Sequence, residues 1–283
     1  MVPKLGVVVG YKCNFQCAHC CVRDCGPISL TLVEKNKIGS VIVRHAPRSI
    51  LFVGGEPTLY LDDINEILSY AKDLSGITIK ITTNGHFAVT VAAAVRVLKS
   101  FLKVDSVQLS YDSFHAEFLP FRRVKNLYRA CKTLGIKFCV INTISSPLDL
   151  AGLKKIKSVG EFKILINKVM NVGAALHNGI KYHYPSFDRR VLRKKCSLRG
   201  GIGYICGRGF SLCCSNLVYE AGLPVAHESV GQHKGSRFYR LISSMTFGEL
   251  LKKARLSSVD LPPEFSTECN LCEYVFKSGR LIR

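Results

Sequence analysis

The sequence has no run approaching the roughly eighteen uncharged apolar residues of a membrane-crossing helix. Its opening, MVPKLGVVVGYKC, holds one lysine and a very short apolar run, which is too little for a secretory signal. There is no low-complexity tail, and no repeat beyond a rhythm of short strands and helices. Acidic side chains are scarce, 20 Asp and Glu against 40 Lys and Arg, for a net charge of +20. These absences exclude a helical membrane protein and lead us to expect a cytoplasmic location. What is present is a 283-residue chain, 47% hydrophobic, long enough for one large core or one domain with an appendage.

The basic excess is uneven. Residues 151–283 carry 22 basic and 9 acidic side chains, against 18 and 11 in residues 1–150, and DRRVLRKKC before Cys196 is the densest run. Such a surface favours an anionic partner: an acidic peptide, a phosphorylated metabolite or RNA. No RNA-binding motif accompanies the charge, so nucleic acid is not the favoured partner. A solvated basic surface is the plain alternative.

Thirteen cysteines are many for a compartment that disfavours disulfides. Their odd number and their tight clusters near the two ends favour metal ligation over stapling. Cys131 and Cys139 sit among apolar neighbours and read as ordinary buried cysteines. In YKCNFQCAHCC, Cys13, Cys17 and Cys20 form a compact triple without the second knuckle of a structural zinc site. Three thiolates can hold three corners of a four-iron cluster and leave one iron open to a ligand. Cys21 and Cys25 are surplus to that need. Cys196, Cys206, Cys213, Cys214, Cys269 and Cys272 make a second set, with Cys269-x2-Cys272 expected on a short turn. Either zinc or a cluster would tie these distant segments together and supply folding energy.

Short β-branched runs at 5–9, 50–53, 77–82, 106–110, 136–142 and 162–166 alternate with amphipathic stretches at 31–45, 61–74, 87–102, 121–134 and 149–158. Alternation of this kind predicts βαβ units, a parallel sheet and, with six strands, an open partial barrel. Chemistry in such sheets gathers at the carboxyl ends of the strands. The cysteine loop, GGEP (54–57), TNG (83–85), SYDSFH (110–115) and NVGAA (171–175) all fall there. After residue 176 the sequence turns glycine- and cysteine-rich, with one helical stretch near 246–255. The expected organisation is a core over 1–176 and a small cysteine-rich domain over 177–283.

The spacing C-x3-C-x2-C, with His19 just before its last cysteine, and GGEP after strand two resemble the radical S-adenosylmethionine (radical SAM) enzymes. The resemblance covers about residues 5–176. It implies a partial (β/α)6 TIM-like barrel, with a [4Fe–4S] cluster on Cys13, Cys17 and Cys20. S-adenosylmethionine would meet Gly54, Gly55 and Glu56, with Asn84 and Ser110 nearby and Gly173 passing the adenine. The later cysteines resemble the Twitch domain, a shortened SPASM extension in which one cysteine precedes a hairpin, one follows it and a C-x2-C pair closes the site. That likeness implies a second, auxiliary [4Fe–4S] cluster on Cys196, Cys214 (or Cys213), Cys269 and Cys272. Cys206 departs from the pattern.

The resemblance further implies an oxidoreductase. Reductive cleavage of S-adenosylmethionine would give a 5′-deoxyadenosyl radical, which abstracts a hydrogen atom for net oxidation or cross-linking of a peptide. Such an enzyme needs a one-electron reductant such as a flavodoxin or ferredoxin. Asp112 and His115 are the candidates for proton acceptor or polar anchor, against a plain role in capping and packing. With strand one opening the chain, no peptide-recognition domain is expected ahead of the barrel. Two other readings stay open: a radical SAM dehydrogenase of a small metabolite, and a non-catalytic iron–sulfur protein that transfers electrons or binds RNA.

Overall fold

Six segments with alternating apolar residues become strands, and each is followed by helical structure that covers one face. The computed structural model describes residues 2–22, 25–220, 222–259 and 261–282. In chain order the first half runs β1 (Lys4–Val8), α1 (Leu32–His45), β2 (Ser49–Val53), α2 (Leu61–Ser69), β3 (Thr78–Thr83), α3 (Val91–Ser100), β4 (Ser106–Ser110), α4 (Ser113–Ala116), α5 (Phe121–Thr133), β5 (Lys137–Ile144), α6 (Leu153–Lys157) and β6 (Lys163–Lys168). The second half adds α7 (Ala174–His177), β7 (Gly201–Ile205), β8 (Gly209–Ser211), α8 (Val230–Gly235), α9 (Arg237–Ser244), α10 (Phe247–Lys253) and α11 (Glu268–Lys277). Among the described residues no helix is long and apolar enough to cross a membrane.

The strands form one sheet in the order β6-β5-β4-β3-β2-β1-β7-β8, parallel from β6 to β7. Only the last pair, β7 with β8, is antiparallel. The sheet does not close on itself, as a partial barrel requires, and a bridge from His227 to Phe210 covers part of the β8 edge. The six expected strands are present, and two more from beyond residue 176 extend the same sheet.

Alternation along the strands separates a dry face from a working one. Ile50, Phe52, Ile79, Ile81, Val107, Leu109 and Val140 are buried, and share a core with Ile38 and Ile42 of α1, Ile64 and Ile67 of α2, Leu98 of α3 and Leu127 of α5. Cys131 of α5 belongs to this core, and burial pushes its thiol up to about 12. Cys139, on β5, is half-buried. On the other face Val53, Thr82, Ser110 and Thr143 line a cavity at the carboxyl ends of the strands.

Helix α1 begins with a capping box in which Thr31 and Glu34 satisfy each other's backbone N–H groups. Glu34 also accepts from Gly207 N at 2.8 Å and Tyr204 Oη at 3.2 Å, fixing the β7–β8 turn against α1. These hydrogen bonds hold its carboxyl below the usual range although burial opposes them.

Candidate functional site

The loop after β1 is bound to the loop after β2 by main-chain hydrogen bonds. Gly55 N donates to Gly10 O at 2.8 Å and Glu56 N to Lys12 O at 2.9 Å. This approach requires glycine: a Cβ at Gly54 would lie 2.4 Å from Gly10 O, and one at Gly55 would lie 2.1 Å from Lys12 O. GGEP therefore seats the cysteine loop.

The three thiols of that loop differ in environment. Cys13 is exposed, Cys20 half-buried and Cys17 buried. Phe15 N donates to Cys13 Sγ at 3.4 Å, and Asn84 Nδ2 stands 3.7 Å from it. Burial raises the Cys13 thiol against those donors, and burial with Cys20, Asp112 and Cys13 nearby pushes Cys17 up to about 12. A metal bound there would have to displace the thiol protons. All three line a cavity of about 290 Å³, together with Gly54, Gly55, Asn84 and Ser110.

Glu56 is not on the cavity wall. Its side chain is fully buried and accepts from Thr58 N at 3.1 Å, Thr58 Oγ1 at 2.7 Å, Thr83 Oγ1 at 2.7 Å and Asn84 N at 2.8 Å. Asn84 in turn donates to Asn14 Oδ1 at 2.7 Å. The carboxylate thus braces strand three and, through Asn84, the cysteine loop. Gly173 lies beside the cavity rather than in its wall. A Cβ there would fall 2.7 Å from Cys20 O, and Ala174 N donates to the same oxygen at 2.9 Å.

Asp112 caps α4, accepting from His115 N at 3.0 Å, and meets His115 Nδ1 at 2.9 Å. Its second oxygen accepts from Thr143 N at 3.3 Å and lies 3.8 Å from His19 Nε2. Burial resists the charge, but the His115 contacts win and hold Asp112 below its usual range. His115 also lines the cavity, held there by its contact with Asp112. His19, just ahead of Cys20, stacks on Phe114 at 4.4 Å, and burial lowers it to about 4 despite Asp112.

The second cysteine set also converges. Cys196, Cys213, Cys214, Cys269 and Cys272 line one pocket closed by Phe238, Ile242 and Phe247. Cys269 and Cys272 lie in the first turn and a half of α11, not on a short turn as expected. Three residues apart, they share one helix face. Cys196 precedes the β7–β8 hairpin and the Cys213–Cys214 pair follows it. Cys213 is buried and close enough to Cys196, Cys269 and Cys272 to raise all three thiols further after burial has done so. Cys214 is exposed as a residue yet lines the same pocket, and desolvation of its thiol, then Cys213, Cys269, Cys21 and Cys196, raise it above the ordinary thiol range. Cys206 is elsewhere: with Cys21 and Cys25 it lines a separate cavity beside Tyr11 and Tyr219.

The radical SAM superfamily pattern matches residues 7–164. YydG of Bacillus subtilis (strain 168), a protein named for peptide biosynthesis, is 24% identical over 311 aligned positions, covering 96% of this chain and 91% of its own. The structure of anSMEcpe with bound AdoMet and Cp18Cys peptide aligns with a TM-score of 0.53 at 17% identity, covering 98% of this chain and 97% of that one. Methylornithine synthase PylB aligns with a TM-score of 0.55 at 10% identity, over 86% of this chain and 82% of its own. At these identities the two structures speak to the fold alone.

Proposed function

The chain belongs to the radical SAM superfamily, and on that premise we propose that it cleaves S-adenosylmethionine reductively and modifies a ribosomally made peptide by net oxidation or cross-linking. The observation that carries this reading is the seating of the cysteine loop on GGEP at a cavity that three thiols share with Gly54, Gly55, Asn84 and Ser110. A protein that only transferred electrons would have no use for that cavity. Similarity to YydG along nearly the whole chain supports a peptide substrate.

Cys13, Cys17 and Cys20 would hold a [4Fe–4S] cluster with one iron left open. The donor set fits: three soft thiols, with the Phe15 N–H and the Asn84 amide turned to Cys13. Such a cluster would supply the electron for reductive cleavage of S-adenosylmethionine to a 5′-deoxyadenosyl radical able to remove a hydrogen atom from the substrate. Main-chain groups of Gly54 and Gly55 would receive the methionine end, with Asn84 and Ser110 beside it. Glu56 would act through Asn84, holding the wall rather than touching the cofactor. His115 would accept the substrate proton at Nε2, with Asp112 fixing its tautomer. Cys196, Cys213, Cys269 and Cys272 would hold a second [4Fe–4S] cluster that takes up the electron left on the substrate. A flavodoxin- or ferredoxin-like carrier would supply the reductant.

Anaerobic reconstitution tests this. The expected result is about eight irons per chain, as two four-iron clusters require, with 5′-deoxyadenosine released on reduction. Absence of cleavage under several reductants would overturn the enzymatic reading, and about four irons would overturn the second cluster.

A further inference from the structure

Lys168 ends β6, the edge strand of the sheet, and is shared by two cavities. One is the thiol-lined cavity described above. The other, about 490 Å³, opens on the segment 182–190, where Tyr182, Tyr184, Arg189 and Arg190 line it. The Lys168 ammonium lies 4.4 Å from the centre of the Tyr182 ring and 4.3 Å from that of Tyr184, and the two rings meet edge-on at 4.8 Å. Aromatic faces hold a cation in place without neutralising it. The acid nearby, Asp188, is taken by Arg190, whose Nε lies 2.8 Å from Oδ1 and Nη2 2.9 Å from Oδ2. Among the described residues Lys168 forms no ion pair, and its other charged neighbours, Arg190 and Lys194, are cations.

The surroundings also suit an extended chain. Ile166, Asn167 and Lys168 are exposed along the outer side of the edge strand, and an open edge of this kind can be followed by a peptide backbone. A held, uncompensated cation resting over a pair of tyrosines, at the doorway of the thiol-lined cavity, is complementary to a carboxylate and repels basic groups.

We propose that Lys168, framed by Tyr182 and Tyr184, is the subsite that takes an Asp or Glu side chain of the peptide substrate as it passes along the β6 edge into the cavity. The proposal rests on the peptide-modifying reading and names the chemistry that the peptide must carry.

The test is fluorescence anisotropy on the reconstituted full-length chain, with three dansyl-labelled probes: hexaglutamate amide, hexaglutamine amide, and hexaglutamine with a free carboxyl end. The wild type should prefer hexaglutamate amide to hexaglutamine amide. Lys168→Met should cut that preference about fivefold, the range of one partly exposed ion pair. Tyr182→Leu should cut it in the same direction, whereas Lys99→Met, on distant α3, should keep it. An undiminished preference in Lys168→Met would overturn the proposal and assign binding to the basic surface at large. A Lys168 effect confined to the probe with the free carboxyl end would overturn it too, as would a loss of S-adenosylmethionine affinity in Lys168→Met without any change in probe preference. Probe binding does not depend on cofactor cleavage. A chain that fails to cleave S-adenosylmethionine yet shows the Lys168 effect would therefore separate the two readings.

Discussion

Gly55 and Lys12 are in contact through their main chains, so that a methyl group at position 55 would fall 2.1 Å from the Lys12 carbonyl oxygen. Backbone on backbone cannot yield as a flexible side chain can. Gly55→Ala should destabilise the chain by about 1–3 kcal/mol, as overpacking does, and should lower the iron retained by the first loop. Denaturant unfolding and an iron assay check this, and wild-type values in both would mean that the two loops part readily.

Glu56 receives donors on both of its carboxylate oxygens. An amide there would turn an NH2 group toward one of them. Glu56→Gln should cost about 1–3 kcal/mol, the usual penalty for a buried polar group left unpaired. The loss should appear in the cluster-free chain. Unchanged stability together with weakened S-adenosylmethionine binding would instead make Glu56 a direct contact.

Cys213 and Cys214 can be told apart by iron content. Cys213→Ser and Cys272→Ser should each lose about four irons per chain, one cubane, while Cys214→Ser keeps them. The reverse pattern would restore Cys214 as the ligand.

His115→Gln removes the titratable base on the cavity wall and roughly keeps its size. Product formation should fall about 100-fold or more, the usual scale for a missing general base, while release of 5′-deoxyadenosine persists. A product yield equal to the wild type would return His115 and Asp112 to capping and packing.

His233 gives the chain a pH-dependent brace. It is fully buried, its Nε2 accepts from Leu212 N at 2.8 Å, and its Nδ1 meets His227 Nδ1 at 3.1 Å. Burial, then His227, lowers it from 6.5 to about 4. A lowered folded-state value means that the unfolded chain binds the proton first as pH falls. The stabilisation is therefore full above pH 6.5 and is lost on descending to about pH 4. Unfolding free energies measured across this window should fall more steeply for the wild type than for His233→Gln, and parallel curves would remove the assignment.

Much of the site is legible along the chain because its signals are local. The C-x3-C-x2-C spacing fits on one loop, and the two glycines of GGEP announce a close main-chain approach. The period-2 runs place each of these at the end of a strand. What cannot be read this way is direction. Glu56 is expected from its motif to meet the cofactor, and only the fold shows that four donors converge on its carboxylate behind the cavity wall. The pair Cys213–Cys214 gives no sign of which thiol lies nearer Cys272, because only the packing of the chain after β8 brings Cys213 beside it.

The sequence by itself determined the strand–helix rhythm, the working rim and the two cysteine sets, since each follows from side-chain periodicity or from spacing within a single loop. The tertiary structure alone decided that β7 pairs with β1, that the C-x2-C pair lies on a helix, that Cys206 joins Cys21 and Cys25 away from the second set, and that Lys168 rests over two tyrosines. These are encounters between segments far apart along the chain, fixed by packing and backbone pairing that no local pattern encodes.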